Sequence, residues 1–257
     1  MYPLISIITV CYNAENSIEE TIKSVISQSY SDIEYIIIDG GSTDSTVNII
    51  KKYQNNIHYW NSEIDKGIYD AMNKGILKSH GDFIIFMNAG DCFVKKTTIT
   101  ECCKYINEHH NFDVYYGDTI LNYSEKNQYI SHPKDLNLLK KQMVFCHQSC
   151  LIKASIQKKY FFDLSYKLLA DYNLFRNLYI NGYSFSYINI PIAIYEAQKG
   201  VSSKMHKKVM MEYVKINNKN NRFIRIIKLF YVDIRFLIKQ LIPQNIIKKI
   251  ARYKQYS

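Results

Sequence analysis

The feature that most constrains this chain is a rhythm in its first 92 residues: a short apolar run, then a polar loop, then a stretch with helical spacing, three times over. "LISIITV" (Leu4 to Val10) is followed by polar "CYNAEN" and then by "SIEETIKSVISQS", where Ile18, Ile22, Val25 and Ile26 recur at three and four. Asn16 or Ser17 is placed to cap that helix, and Glu19 and Glu20 fall in its first turn, where the helix dipole favours acidic groups. "IEYIIID" (Ile33 to Asp39) predicts a second buried strand, "GGSTD" a turn, and "STVNIIKKY" a helix capped near Asp44 or Ser45. A third round runs from "IHYWNSE" through "DKGIYDAMNKGILKS", with Ile68, Ala71, Met72 and Ile76 on one face, to the strand Asp82 to Asn88. Strands alternating with helices call for a mostly parallel sheet covered by helices on both sides. With 257 residues, 47% of them hydrophobic and 35 of them Tyr or Phe, the chain can fill one substantial core, much of it aromatic.

In such a sheet, ligands bind beyond the carboxyl ends of the strands. The loops there hold Tyr12 and Asn13, Asp39, Glu63 and Asp65, and Asn88 and Asp91. An aromatic, several carboxylates and several glycines on one rim suit a nucleotide with a metal-bound diphosphate: the ring stacks on a base, one carboxylate accepts from base or ribose, another holds a divalent cation. Each residue taken singly reads equally well as a turn or capping residue.

The six cysteines (Cys11, Cys92, Cys102, Cys103, Cys146 and Cys150) follow no zinc spacing and form no Cys-x-x-Cys. They predict reduced, mostly buried thiols in a cytosolic protein. "MYPLISIITV" lacks a basic leader region, so it reads as a strand and not as a signal peptide, and no segment approaches the ~20 apolar residues that span a bilayer.

Four segments, "ISIITVCYNAE", "IEYIIIDGGSTDST", "SEIDKGIYDAMNKGI" and "GDFIIFMNAGD", stand in an order and spacing that resembles the family 2 glycosyltransferases, in particular the small enzymes of O-antigen and capsular polysaccharide assembly. The resemblance is dense over about the first two thirds of the chain. It implies a GT-A fold, an α/β Rossmann-like architecture of nucleotide-diphospho-sugar transferases, with a nucleotide-sugar donor, a divalent metal (manganese or magnesium) and inversion at the anomeric carbon. It further implies that Val10, through its backbone, with Tyr12, Asn13 and Glu15 contacts base and ribose, and that Asp39 accepts from a uracil-like edge. A purely structural Tyr12, in the core, is the alternative. Asp44 orders the glycine turn or caps the helix beside it.

"FMNAGD" stands where the family carries its Asp-x-Asp-type metal motif. Asp91 is retained as the metal ligand, Asn88 occupies the earlier acidic position, and Ala89 and Gly90 complete the donor loop. One carboxylate suffices when the diphosphate and water supply the remaining oxygens. Asn88 then touches either the metal or a sugar hydroxyl. Asp65, Lys66 and Gly67 lie on the same rim; Lys66 either adds positive charge near the donor or is a solvated loop lysine.

The reaction needs a base on the acceptor side. Asp171, at the start of the helix predicted in "YNLFRNLYINGY", matches the family's acidic position, with Asp163 as runner-up. His147 and Gln148 stand where the resemblance places acceptor contacts, against a structural histidine as the alternative. "VYYGDTI" and "QYISH" predict a small antiparallel element, "VFCHQSCLIK" another strand, and "YEAQKGVSSK" a segment that closes over donor with Gly200 as hinge.

The net charge of +10 is concentrated at the end of the chain. Residues 204–257 carry 14 of the 33 Lys and Arg but 2 of the 23 Asp and Glu, which leaves the first 203 residues at −2. Ile224, Ile227, Tyr231, Ile234, Ile238 and Leu241 recur at three and four, with Arg225, Lys228, Arg235 and Lys239 on another side, and "NIIKKIARYKQY" adds a second such stretch. This predicts a catalytic domain over 1–203, with a nucleotide-sugar half (1–92) and an acceptor half (93–203), followed by a basic helical tail that lies on an anionic membrane. The expected protein is cytoplasmic and peripheral on the inner face of the plasma membrane, with a lipid-linked glycan acceptor and no nucleic-acid partner. A helix packed on the domain or on another subunit is the alternative for the tail, and the oligomeric state is left open. Two other functions are compatible with parts of the sequence. A sugar nucleotidyltransferase would want a glycine-rich loop where "CYNAEN" has no glycine, whereas an inactive scaffold is suggested by the missing acid at Asn88.

Overall fold

Strand β1 (Ile5–Cys11) is buried along its whole length, and the sheet grows from it in both directions. On one side it pairs in parallel with β2 (Ile33–Asp39), and β2 with β3 (Tyr59–Ser62); on the other it pairs in parallel with β4 (Phe83–Phe86). The computed structural model describes residues 2–124, 127–197, 205–219 and 221–241, and all four of these strands run parallel, as the alternating pattern requires. Chain order moves outward from β1 to β3 and then returns to the far side of β1. The order therefore reverses between β1 and β4, the point at which such sheets open a crevice.

The first three helices follow the predicted stripes with one exception. Helix α1 (Ile18–Ile26) buries Ile18, Ile22 and Val25, and α2 (Thr46–Lys52) buries Ile49 and Ile50. In α3 (Ile68–Lys78) Ala71, Met72 and Ile76 are buried as expected, but Ile68 is exposed and Tyr69 turns inward instead. The reason is polar: the Tyr69 hydroxyl donates to the Leu168 carbonyl and to the Asp171 carboxylate.

Beyond β4 the sheet turns mixed. β8 (Cys150–Lys153) runs antiparallel to β4, β6 (Val114–Ser124) antiparallel to β8, β9 (Phe185–Glu196) parallel to β6, and β5 (Cys92–Phe93) antiparallel to β9. The predicted antiparallel pair is present, β6 with β7 (Asn127–Ser131), but it is not a separate element: β6 is an inner strand of the main sheet, and β7 hooks onto its far end. Only Cys150–Lys153 of the strand predicted from "VFCHQSCLIK" is extended, because His147–Ser149 forms a 3-10 turn that directs His147 and Gln148 toward the end of β4. Helices α4 (Thr98–Glu108), α5 (Ala154–Lys159) and α6 (Ala170–Ile180) complete this part, α6 burying Tyr172, Leu174, Phe175 and Leu178.

The chain divides into two compact units, 1–203 and 204–257. In the second, α7 (His206–Asn217) and α8 (Arg222–Leu241) are joined by an ion pair of 2.6 Å between Lys207 and Asp233. In α8 the predicted apolar stripe is not the seated one: Ile224, Ile227, Tyr231 and Ile234 are exposed, as are Phe223, Ile226 and Phe230, whereas Val232 is buried. The side chains of Ile238, Lys239 and Leu241, the predicted helix after Pro243 and the Gly200 hinge lie outside the described residues.

Candidate active site

The carboxyl ends of β1, β2 and β3 are laced together by short polar contacts. Asp39, at the end of β2, has no exposed surface and accepts from the Gly41 and Ser42 amides at 3.1 and 2.8 Å, from both the Ser42 and Ser62 hydroxyls, and from the Cys11 thiol at 3.4 Å. It is Asp39, therefore, that orders the glycine turn, and in this structure its lone pairs are spent on that turn. Asp44 instead accepts from the Thr46 amide at 3.0 Å, capping α2, and from the Glu15 amide at 3.1 Å.

Asn13 and Glu15 are clasps between the same two loops. The Asn13 amide donates to Ser42 Oγ at 2.8 Å and its side-chain oxygen accepts from the Thr43 amide at 2.9 Å, while Glu15 accepts from the Ser45 amide at 2.9 Å. Asn13 adopts φ 47°, a left-handed conformation that asparagine tolerates better than most residues. Tyr12 is 63% exposed, so its ring faces outward and not into the core.

Gly40 brings the third loop in. A Cβ on it would meet the Asp65 carboxylate and stand 3.5 Å from the Tyr12 ring, so the glycine lets the Asp65 side chain lie against the turn. Asp65 also accepts from the Gly67 amide at 2.7 Å, and the Lys66 amide donates to Asp70 at 2.9 Å, which leaves the Lys66 side chain outward and exposed. Tyr12, Asp65 and the backbone of the glycine turn thus form one exposed platform.

The loop after β4 is tied to this platform by its backbone. The Ala89 amide donates to the Val10 carbonyl at 3.1 Å, and a tight turn closes with the Asp91 amide on the Asn88 carbonyl at 2.9 Å, Gly90 taking φ 103°. Thr21 of α1 fixes the turn from beneath, accepting from the Gly90 amide and donating to the Asp91 carbonyl. The Asp91 carboxylate is directed toward the second half of the chain, where it accepts from Gln148 Nε2 at 3.0 Å and from the Glu196 amide at 3.1 Å. Burial pushes its pKa up to about 7, against the hydrogen bonds from Glu196 and Gln148 and the field of His147. Asn88 beside it is buried, and its side-chain oxygen has no partner.

Next to Asp91 lies the second orphan. His147 Nε2 is buried without a partner, while Nδ1 stands 3.2 Å from Asp171 Oδ2. The ring meets Phe86, the last residue of β4, edge to face at 6.1 Å between centroids. Asp171, in the first turn of α6, also accepts from the Tyr69 hydroxyl at 2.9 Å and from the Tyr172 amide at 2.8 Å. Burial would raise its pKa, but the hydrogen bond and charge of His147, with the Tyr172 amide and Tyr69, hold it below the usual carboxylate value. Asp163 instead closes its own turn onto the Ser165 amide.

Of the predicted residues, the structure brings Val10, Tyr12, Asp65, Gly67, Asn88, Ala89, Gly90, Asp91, His147, Gln148 and Asp171 around one rim, with buried Asp39 and the exposed Asn13 and Glu15 lacing its loops together. Tyr69 and the backbone of Glu196 are additions. Tyr69 hides in sequence because the helical stripe at Ile68, Ala71, Met72 and Ile76 explains the segment without it. A tyrosine one residue past a glycine-led helix start is the signal that would have found it.

The model for "Glycosyl transferase family 2" matches residues 6–161. The PGL/p-HBAD biosynthesis glycosyltransferase Rv2957 of Mycobacterium tuberculosis is 26% identical over 215 residues, covering 82% of this chain and 83% of that one. The putative teichuronic acid biosynthesis glycosyltransferase TuaG of Bacillus subtilis is 38% identical over 96 residues, 36% of this chain and 38% of that one. Among solved structures, Staphylococcus aureus TarS 1–349 in complex with UDP-GlcNAc superposes with a TM-score of 0.66 at 18% identity, covering 87% of this chain and 69% of that one. This chain spans 41% of the longer TarS structure. The mannosyltransferase PcManGT of Pyrobaculum calidifontis, in complex with GDP-Man and Mn2+, superposes with a TM-score of 0.68 at 15% identity, covering 91% of this chain and 69% of that one. The architecture is that of the GT-A fold.

Proposed function

Since this chain belongs to glycosyl transferase family 2, we propose that it moves one sugar, with inversion, from a UDP-sugar to a hydroxyl of a lipid-linked glycan during assembly of a surface polysaccharide of the O-antigen or capsule type. The observation that carries this reading is the pair of unsatisfied polar atoms, Asn88 Oδ1 in the turn that ends at Asp91 and His147 Nε2 beside Gln148, the residue that bonds the Asp91 carboxylate. Leaving such an atom buried and unpaired costs about 1–3 kcal/mol, a cost that substrate binding would recover.

The residues present fit a divalent cation. Asp91 offers a carboxylate, the free Asn88 oxygen stands three residues away, and hard cations take oxygen ligands. Among the described residues no group of three or more His, Cys, Asp or Glu surrounds a point, so diphosphate and water oxygens would complete the shell. Asp91 would hold the cation, and the chemistry it supplies is neutralisation of the charge on the departing diphosphate.

The chain's own groups do the rest. Tyr12 offers an exposed ring for the base, Asp65 and the glycine turn line the ribose side, and the lacing around Asp39 keeps that platform rigid. Lys66 is free to add positive charge over the diphosphate. On the acceptor side the His147–Asp171 pair is the place where a hydroxyl can lose its proton. Gln148 holds Asp91 in register with that pair.

The exposed apolar face of α8, Phe223, Ile226, Ile227, Phe230, Tyr231 and Ile234, with Arg222, Arg225, Lys228 and Arg235 among it, supports a peripheral seat on an anionic leaflet, each basic residue contributing about 1 kcal/mol. No helix of the described residues is long and apolar enough to cross a membrane.

A thermal-shift screen of UDP-, GDP- and dTDP-sugars with and without manganese tests the donor reading, because a ligand of the native state raises the melting temperature. A manganese-dependent rise with a UDP-sugar is expected. No shift with any nucleotide sugar would remove the transferase reading, and release of pyrophosphate in place of nucleoside diphosphate would point to a nucleotidyltransferase.

A further inference from the structure

Among the described residues, the sheet face that α6 covers is left open at the far end of β6. Side chains along a strand alternate between its two faces. Tyr116 is covered: its ring stacks on Phe145 at 4.7 Å, and Phe145 packs against Phe175 of α6 at 5.0 Å between centroids. Asp118, Ile120 and Asn122 continue the same face toward the carboxyl end of β6, where the cover ends and Ile120 and Asn122 are only half-buried. The open stretch therefore lies on the side of the sheet occupied by the helix that carries Asp171.

Register makes three strands share this stretch. Cross-strand partners point to one side of a sheet. Ile120 pairs with Ile130 of β7 and Ile194 of β9, while Asn122 pairs with Gln128 and Glu196. One row back, His132 Nδ1 stands 2.9 Å from Asp118 Oδ2. The face is banded as a result, with an isoleucine row between two polar rows. The outer polar row reaches the reaction corner, because the Glu196 amide donates to the Asp91 carboxylate at 3.1 Å and a Cβ on Gly90 would stand 4.0 Å from Glu196 Cβ.

We infer that this banded face is the seat of the acceptor's sugar: the isoleucine row receives the C–H face of a pyranose ring, and Asn122, Gln128 and His132 bond hydroxyls on its two edges. The inference rests on the transferase reading above and names the surface that presents the acceptor within it.

The chemistry favours a neutral polyol over other occupants. A sugar ring carries hydroxyls around its rim and C–H bonds on its faces, which is the order of the bands. Rows on one face lie about 7 Å apart and neighbours within a row about 5 Å apart, so a ring seated on the isoleucines has both polar rows in reach. Amide side chains donate and accept at once, as a hydroxyl does. Gln128 Nε2 donates to Asn122 Oδ1 at 3.2 Å, and no hydrogen bond within the described residues engages Asn122 Nδ2 or Gln128 Oε1. A donor and an acceptor are thus left side by side on the surface.

The inner row is preset. Buried Asp118 accepts from the Tyr187 hydroxyl at 2.6 Å with one oxygen and faces His132 with the other, so the imidazole is held in place while its side chain stays 67% exposed. The hairpin that carries Gln128 and Ile130 is stiffened from its other face, where Tyr129, opposite Leu121, stacks on Tyr123 at 5.1 Å. No Lys or Arg stands in these rows, so an anionic headgroup finds no partner here.

The test uses the full chain, with the methyl glycosides of glucose, galactose, mannose and N-acetylglucosamine as probes. Nitrogen-15 NMR follows the side-chain amides of Asn122 and Gln128, assigned by their loss in N122A and Q128A. One glycoside is expected to shift both amides, and to shift that of Asn122 less in I130S. With the UDP-sugar of largest thermal shift as donor, Q128A and I130S should each raise the KM for that glycoside about three- to tenfold, the worth of one hydrogen bond or apolar contact, with UDP affinity by calorimetry within about twofold of wild type. Gln128 and Ile130 are exposed, so neither change disturbs the core. Amides unmoved by every glycoside, or a wild-type KM in both variants, would overturn the inference. So would altered sedimentation of I130S at unaltered KM, which would give the face to a second copy of the chain. If wild type binds no UDP-sugar, the transferase reading falls, while the NMR titration, which needs no donor, still judges the face by itself.

Discussion

The two sides of the rim are built on opposite principles. On the donor side, across the loops after β1, β2 and β3, the polar groups are engaged in contacts of their own: buried Asp39 accepts from five donors, and the more exposed Asn13, Glu15 and Asp44 are spent on one another's loops. From the loop after β4 to the 3-10 turn at His147, polar atoms are left over, at Asn88 and at His147, and Asp91 is kept in a setting that disfavours its charge. A platform for a nucleotide gains from rigidity, because ordering it on binding would cost affinity. A site that stabilises a transition state gains from groups whose partners arrive only with the substrate.

The sharpest break in that comparison is at Asp91. Asp91→Ala should abolish manganese-dependent binding of a UDP-sugar and lower transfer by a thousandfold or more, equivalent to ~4 kcal/mol. Nucleotide affinity in manganese that matches wild type would show that the leftover groups serve something other than a diphosphate and its cation.

The lacing of the loops after β1, β2 and β3 should fail differently, by unfolding instead of by losing chemistry. Asp39→Ala removes the acceptor of several partly buried donors at once, so a loss of roughly 1–3 kcal/mol in stability is expected in a denaturant titration. Gly40→Ala drives a methyl into Asp65 Oδ2, so it should cost about 1–2 kcal/mol and weaken nucleotide binding in proportion. A Gly40→Ala protein with wild-type stability and affinity would mean that Asp65 moves freely, and the platform is then not preformed.

This division also explains what could be read from the sequence. Everything on the donor side is local: a strand, its loop and the next helix lie within 30 residues, so Tyr12, the glycine turn and the DKG turn announce themselves by spacing. What sequence order hides is how the carboxylates are used. Asp39 could be placed on the rim, but not seen to be fully consumed by Ser42 and Ser62. The acceptor side is assembled across 57 to 105 positions, from Asp91 to Gln148 and to Glu196, and no periodicity links such partners. The resemblance supplied His147, Gln148 and Asp171 as separate residues; their pairing, and the Tyr69 hydroxyl reaching across 102 positions, needed the fold. In α8 the period was legible, and the stripe it marks is left exposed within the chain. Among its described side chains Val232, outside that stripe, is the residue that is buried.

Tyr69→Phe should show a smaller effect that sharpens the contrast. Removing the hydroxyl leaves Asp171 with His147 and the Tyr172 amide, so the pair survives with one anchor fewer. Transfer should fall about tenfold, ~1.4 kcal/mol, with nucleotide affinity unchanged. A matching loss in nucleotide affinity would mean that Tyr69 serves the donor platform, and the two sides would not be separable at α3.

The smallest effect concerns stability and pH. Because Asp171 is held below its usual value in the folded state, the fold favours its ionised form over the proton-bound one. Its contribution is therefore complete above about pH 4, the value of an unfolded aspartate, and is lost as pH falls through the lower folded value. At pH 7 wild type should melt above Asp171→Asn by about 2–4 °C, as ~1 kcal/mol gives for a unit of this size, and the gap should close as the pH is taken below 4. A gap that stayed constant into acid would assign the stability difference to packing around α6, and the ionic bond to His147 would then contribute orientation without contributing stability.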